Sequence, residues 1–273
     1  MKSNSVFPLF LYLHLTKLQA ESKIFFFFFS LLFCFAGNAV SQVVNIESER
    51  LRADSNGLYG SLSANFALTS NTKTIIVFEA NSQVEYKQDS NLYLLLGSYG
   101  FVNGDNEDFF NNAFIHFRYN RKITKVLRWE AFTQLQFNKI SKINLRYLLG
   151  TGPRFKLMDK KELKIFIATL AMFEYEEDDT TENYVHRDIR SSSYLSFTLT
   201  PAKNVKIVST TYYQPLYKAF SDFRIMNQES VEVTISRKFT IEPKFSYLYD
   251  SRPVSGVPRV NYSFTTGLKY LFN

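Results

Sequence analysis

Cysteine and tryptophan occur once each in this chain, proline 7 times and glycine 10 times. The lone Cys34 sits in an apolar run near the amino end, so the rest of the chain can form neither a disulfide nor a thiolate metal centre. Past Gln42 no apolar run approaches the roughly 18 residues that a membrane-spanning helix needs, which excludes a helical membrane protein. The scarcity of Gly and Pro also argues against a secreted β-sandwich, where turn residues recur every ~8–12 positions. Lys and Arg outnumber Asp and Glu, 32 to 25, but they are scattered along the chain. Nucleic-acid-binding proteins gather their positive charge on one face, so no nucleic-acid partner is expected.

What the chain has in quantity is aromatic side chains, 28 Phe and 17 Tyr. Some of the Phe belong to the amino end, where Lys17 and Lys23 precede an apolar run over 24–35 and Ala39-Val40-Ser41 offers a small-x-small cleavage site. This is the order of a secretory signal peptide, and residues 1–41 are expected to be one. An uncleaved anchor would need about 20 apolar residues, and Gly37, Asn38 and Ser41 interrupt the run. Phe33 before Cys34 does not suit lipidation, which takes a small residue there. Cleavage removes three Lys and one Glu and lowers the formal charge from +7 to +5.

Residues 42–56 are mostly polar and read as a periplasmic lead-in; residues 57–273 read as a barrel. Side chains alternate between the two faces of a strand, so the pattern of every second residue carries the signal. At the carboxy end Val260, Tyr262, Phe264, Leu268, Tyr270 and Phe272 fall on one face, against Asn261, Ser263, Thr265, Gly267 and Lys269. The same contrast sets Trp129, Ala131, Thr133, Leu135 and Phe137 against Arg128, Glu130, Gln134 and Gln136. One face suits lipid and the other suits water, while overall hydropathy stays low. The fold class expected is all-β: an antiparallel transmembrane β-barrel of about 12 strands, with about 10 or 14 as alternatives. The third segment (92–101) and the tenth alternate poorly. Connections near 87–90, 121–125, 158–162, 201–204 and 236–238 are short, and every long one falls among 102–110, 138–142, 176–189, 218–222 and 251–258. Short periplasmic turns alternating with longer external loops characterise outer-membrane barrels, and an even strand count returns both ends to the periplasm.

Three stretches resemble the family of salt-induced outer membrane proteins, an uncharacterised outer-membrane β-barrel family. The first runs from Val43-Val44-Asn45-Ile46-Glu47-Ser48-Glu49-Arg50 to Gly57-Leu58-Tyr59-Gly60. The second holds Phe117-Arg118-Tyr119, Trp129-Glu130-Ala131-Phe132-Thr133-Gln134 and 145–154; the third is Phe173-Glu174-Tyr175-Glu176-Glu177. Pro153 departs from the family's Gly-x-Gly-x-Arg run, and because proline cannot donate to a ladder a bulge is expected there. The resemblance implies a barrel in the bacterial outer membrane. It implies no substrate, since the family name describes an expression behaviour.

Alternation puts His116, Arg118, Arg128, Glu130, Asn144, Arg146, Arg154, Lys156, Lys164 and Glu174 on the inward face of four neighbouring strands. Arginine pairs in two-pronged fashion with carboxylate and phosphate, so a lumen lined this way would favour small anionic solutes. The alternative is a structural ladder, with the arginines paired to Glu130 and Glu174 in a non-conducting structural or binding barrel. A third reading, an outer-membrane lipase, has only His116 and His186 past the signal to serve as base; His116 faces inward and no Gly-x-Ser-x-Gly elbow is present. No catalytic residue, cofactor or metal is expected: the acidic stretches 174–190 and 103–108 offer oxygens of the kind that hold calcium, but 103–108 lacks the closing Glu and the spacing of a calcium loop, and both read as solvated loop charge. Tyr175, Tyr213, Tyr217, Tyr247, Tyr249, Tyr270 and Phe272 suit interfacial girdles. The partners expected are outer-membrane lipids, the barrel-assembly machinery through the carboxy-terminal strand, and a small anionic solute.

Overall fold

The structure, a computed structural model, describes residues 55–70, 74–104, 107–179 and 184–272. The signal peptide expected at 1–41, and all but the end of the lead-in, lie outside them. Twelve strands follow in chain order: β1 (Gly57–Ser70), β2 (Thr74–Gln88), β3 (Asn91–Gly104), β4 (Glu107–Lys122), β5 (Leu127–Asn138), β6 (Ile143–Asp159), β7 (Leu163–Asp178), β8 (Val185–Ala202), β9 (Val205–Leu216), β10 (Ala219–Thr234), β11 (Phe239–Asp250) and β12 (Val260–Phe272). Each pairs with its sequence neighbours in antiparallel fashion and β1 pairs with β12, closing a barrel. Closure removes the sheet edges that would otherwise leave backbone N–H and C=O groups unpaired.

Alternation decides which face is which. On β12, Asn261 and Lys269 are buried inside while Phe264 and Leu268 are exposed outside. On β5, Glu130 and Phe132 are buried while Trp129 and Leu135 are exposed. An inside that is polar and an outside that is apolar invert the soluble pattern, as an apolar solvent demands. Outward aromatic rows mark both ends of the wall: Tyr86, Tyr93 and Tyr119 lie side by side with centroids 6.1 and 5.2 Å apart near the short turns. Tyr213, Phe223 and Tyr249 do so at 5.8 and 5.7 Å near the opposite rim.

The two poorly alternating segments have physical explanations. On β3 the inward Leu92, Leu94 and Leu96 are as apolar as the outward Leu95. On β10 the outward face carries a polar pair, Asn227 donating to Thr211 Oγ1 on β9 at 3.0 Å. At one end the connections are 89–90, 123–126, 160–162, 203–204 and 235–238; at the other, the well-described ones are 139–142, 217–218 and 251–259. The 102–110 connection is mostly strand, because β3 runs to Gly104 and β4 starts at Glu107. Likewise β7 continues to Asp178 and β10 begins at Ala219.

Nor does Pro153 make a bulge. The β6–β7 register is the same on both sides of it, Thr151 opposite Ala171 and Arg154 opposite Ala168. Gly152 instead permits a close backbone approach, since a Cβ there would sit 2.3 Å from the Thr169 carbonyl oxygen. The register shifts of β6 lie elsewhere, between Ile143 and Leu145 and between Lys156 and Met158.

Candidate functional site in the lumen

Glu130 on β5 is the first hub of the interior. Its Oε2 lies 2.7 Å from Arg118 Nη1 and accepts from the Tyr194 hydroxyl at 2.7 Å. Its Oε1 accepts from Asn120 Nδ2 and from Arg154 Nη1, the latter at 3.4 Å. Glu130 and Arg154 are both 0% exposed. Aromatic rings support the cations: Arg118 lies over Phe132 at 4.9 Å and Arg154 over Phe166 at 3.8 Å, contacts that gain from the absence of water. His116 stacks on Phe132 at 5.4 Å, accepts at Nε2 from Arg118 Nε and meets Gln134 Oε1 through Nδ1. The Nδ1–H tautomer satisfies both contacts.

Glu174 on β7 is the second hub. Arg224 Nη1 is 2.5 Å from Oε1, Arg190 Nε 2.7 Å from Oε2, and Arg146 Nε 3.3 Å from Oε1. The same arginines reach further carboxylates: Arg146 to Glu176 at 2.5 Å, Arg190 to Asp222 at 2.9 Å and Arg224 to Asp250 at 2.8 Å. The result is a lattice from β6 to β11.

This lattice lines a cavity of about 820 Å³ that extends to the rim at 139–142, 217–218 and 251–259. Leu148, Met172, Tyr212, Met226 and Leu248 give it an apolar floor, joined to the buried cluster of Phe132, Leu170 and Tyr194. Six Arg or Lys and six Asp or Glu line it, so its charge is balanced. The 251–259 segment crosses its mouth. Lys142 Nζ, on the β5–β6 connection half a barrel away, donates to Ser255 O at 2.7 Å. Gly256, at φ +82, takes the turn beside it, a conformation that side-chain-bearing residues rarely adopt.

Of the residues expected to face inward, His116, Arg118, Glu130, Arg154 and Glu174 are buried and Arg146 partly so. Arg128 and Lys164 sit nearer the short-turn end, Arg128 5.5 Å over Phe166 and Lys164 opposite Asp159 on β6. Asn144 is a correction. It is exposed, because the extra residue of the bulge after Ile143 reverses the alternation and gives Ile143 the buried place. The solvated-loop reading of 174–190 also fails for Glu176 and Asp178, which end β7 as buried inward residues.

The profile of the family described as "Protein of unknown function, DUF481" matches residues 61–272. The chain belongs to that family. Its sequence matches no curated protein. Among solved structures, the COG4313 outer membrane channel from Pseudomonas putida F1 superposes with a TM-score of 0.50 over 84% of this chain and 99% of that one, at 12% identity. That likeness shows the barrel fold. A NanC porin is similar at TM-score 0.47 and 10% identity, covering 78% and 97%.

Sequence reasoning missed Arg190, Arg224, Glu176, Asp222 and Asp250. The signal was available for one of them, Glu176: Glu174, Glu176 and Asp178 recur at every second position with Tyr175 and Glu177 between, which is strand periodicity in an acidic run.

Proposed function

We propose that this protein is an outer-membrane β-barrel whose lumen is shut by its own side chains, and which holds a charge-balanced pocket for a small polar or amphipathic solute at the external end. The observation that carries this is the inaccessibility of Glu130 and Arg154. Inward side chains of an open pore are wetted; these are sealed between rings and opposing charges. The apolar outer wall and its two aromatic rows support the membrane reading, with outer-membrane lipids as its surroundings. The alternating β12 supports delivery by the barrel-assembly machinery.

The arginine wall is not a free anion path in this reading, because Arg118, Arg146 and Arg154 each face a carboxylate. Nor is it an enzyme: His116 is enclosed by Phe132 and Arg118, away from lipid. A regulated path for small anionic solutes is the second reading, favoured by Arg146, Arg190 and Arg224 lining the cavity together. It requires the lattice to part.

Single-channel recording in a planar bilayer tests the proposal, with folding verified by gel mobility that changes on boiling. The folded protein should give no steady conductance. Steady conductance with anion preference would overturn the closed lumen and establish the second reading.

A further inference from the structure

We propose that the outer face of β9 and β10, around Asn227 and Glu229, is the contact through which two copies of this chain pair side by side within the membrane. The inference goes beyond the closed pocket: it rests on the membrane-spanning wall alone and holds whether or not the lumen conducts.

Strand parity puts both side chains on the lipid side. Arg224, Met226, Gln228 and Ser230 of β10 are buried inward, and the register with β9 runs without a shift from Phe223 opposite Pro215 to Val233 opposite Val205. Asn227 and Glu229 therefore point outward. Their depth follows from the aromatic rows. Phe223 stands in the external row; Ile235, just past the other end of β10, bonds to Phe239, whose ring lies 5.5 Å from that of Tyr270 near the short turns. Glu229 is midway between Phe223 and Ile235. Among the described residues it is the one acidic or basic side chain that faces outward away from the strand ends. Hydrocarbon satisfies neither an amide nor a carboxyl, and ionisable side chains at that depth are rare and carry function.

Within the chain these groups meet only neutral hydroxyls. Asn227 donates one amide hydrogen to Thr211 Oγ1 at 3.0 Å, leaving the rest of its amide turned outward. Glu229 accepts from Ser209, opposite it on β9 and 5% exposed. The surroundings suit close approach, since Ser209, Thr211 and, further along the wall, the 2.9 Å pair of Thr169 and Ser193 are small and polar. The far side of the barrel differs: Leu62, Leu95 and Ile115 are 60%, 42% and 50% exposed, a bulky apolar surface of the kind lipid chains cover.

Depth selects a second copy as the occupant. Two copies inserted in the same sense are related by an axis along the membrane normal, so each residue meets its counterpart at its own level. The outward amide hydrogen of Asn227 then meets the carbonyl oxygen of Asn227, or the carboxyl of Glu229, in the second copy, and symmetry makes the contact twice. An amide carries both a donor and an acceptor, so the patch complements itself.

The test uses the full chain folded in cells with Cys34→Ser, so that an introduced cysteine is the only one. Thr211→Cys should give cross-linked dimers when a membrane-permeant bifunctional thiol reagent is added to outer-membrane preparations. Ile115→Cys, across the barrel, should cross-link at least about tenfold less, because only a fixed contact holds two thiols at high effective concentration. Asn227→Leu with Glu229→Leu should weaken the dimer at least about tenfold in native mass spectrometry from mild detergent, the effect of losing one or two hydrogen bonds in lipid. Gel mobility that changes on boiling should show that this variant still folds. Asn227→Gln with Glu229→Gln, which keeps the hydrogen bonding, should keep the dimer. A monomer in the unaltered chain, equal cross-linking at Ile115→Cys, or a dimer indifferent to Asn227→Leu with Glu229→Leu would each overturn the pairing. A Thr211→Cys adduct of a mass other than twice that of the chain would also overturn it, by placing a different protein on this face.

Discussion

Glu130 and Glu174 are both buried carboxylates facing arginines, yet their surroundings differ in redundancy. Around Glu130 one carboxylate serves two guanidinium groups, Arg118 and Arg154, each pressed against a phenylalanine ring. Around Glu174 three arginines share four carboxylates: Glu174 itself, Glu176, Asp222 and Asp250. Breaking a buried ion pair is costly mainly because the surviving charge is left uncompensated. Glu130 is the shared acceptor of Arg118, Arg154, Asn120 and Tyr194, whereas each Glu174 arginine also reaches a second anion. The same chemistry thus makes a seal in one place and an adaptable wall in the other, and the adaptable one faces the cavity.

The largest expected effect follows from this contrast. Glu130→Ala removes the acceptor that two buried cations share and should destabilise the barrel by about 3–5 kcal/mol, read as a lower urea midpoint for unfolding from lipid vesicles. Glu174→Gln should cost less, about 1–3 kcal/mol, in the same assay; a cost equal to that of Glu130→Ala would end the claim of redundancy. Gly150→Ala tests the ring beneath Arg118, because a Cβ at Gly150 would meet the Phe132 ring at 2.3 Å. It should cost about 1–3 kcal/mol from overpacking, and pairing it with Phe132→Leu should restore part of that loss. Lys142→Ala is smallest, below about 1 kcal/mol for an exposed contact. Its effect should appear as faster labelling of a cysteine placed at Leu248 by a soluble thiol reagent, with unfolding hardly moved.

The wall was legible in the sequence because lipid contact imposes a period of two on every strand, and β5, β7 and β12 obey it with few exceptions. Twelve strands and a common end for both termini were readable for that reason. Strand ends were harder, since Asn and acidic residues that announce a loop in a soluble protein are acceptable inside a barrel. Hence β3 and β7 run further than their composition suggests. Asn144 was misplaced because one unpaired residue flips every later side chain, and nothing in the local sequence announces a bulge. The second hub was half visible. Glu174 and Arg146 could be placed by parity, but Arg190 and Arg224 reach Glu174 from β8 and β10, Arg224 in turn meets Asp250 on β11, and contacts between strands far apart in sequence leave no mark on any one segment.

Two of those contacts jump over intervening strands: Tyr194 on β8 to Glu130 on β5, and Arg224 on β10 to Glu174 on β7. They act as cross-struts, turning the arc from β5 to β11 into a braced arch that shares load and bends as one piece. A hoop stiffened over one arc flexes in the other. In this barrel that other arc runs from β12 through β1 to β4, so changes in bilayer thickness or lateral pressure should be felt first there.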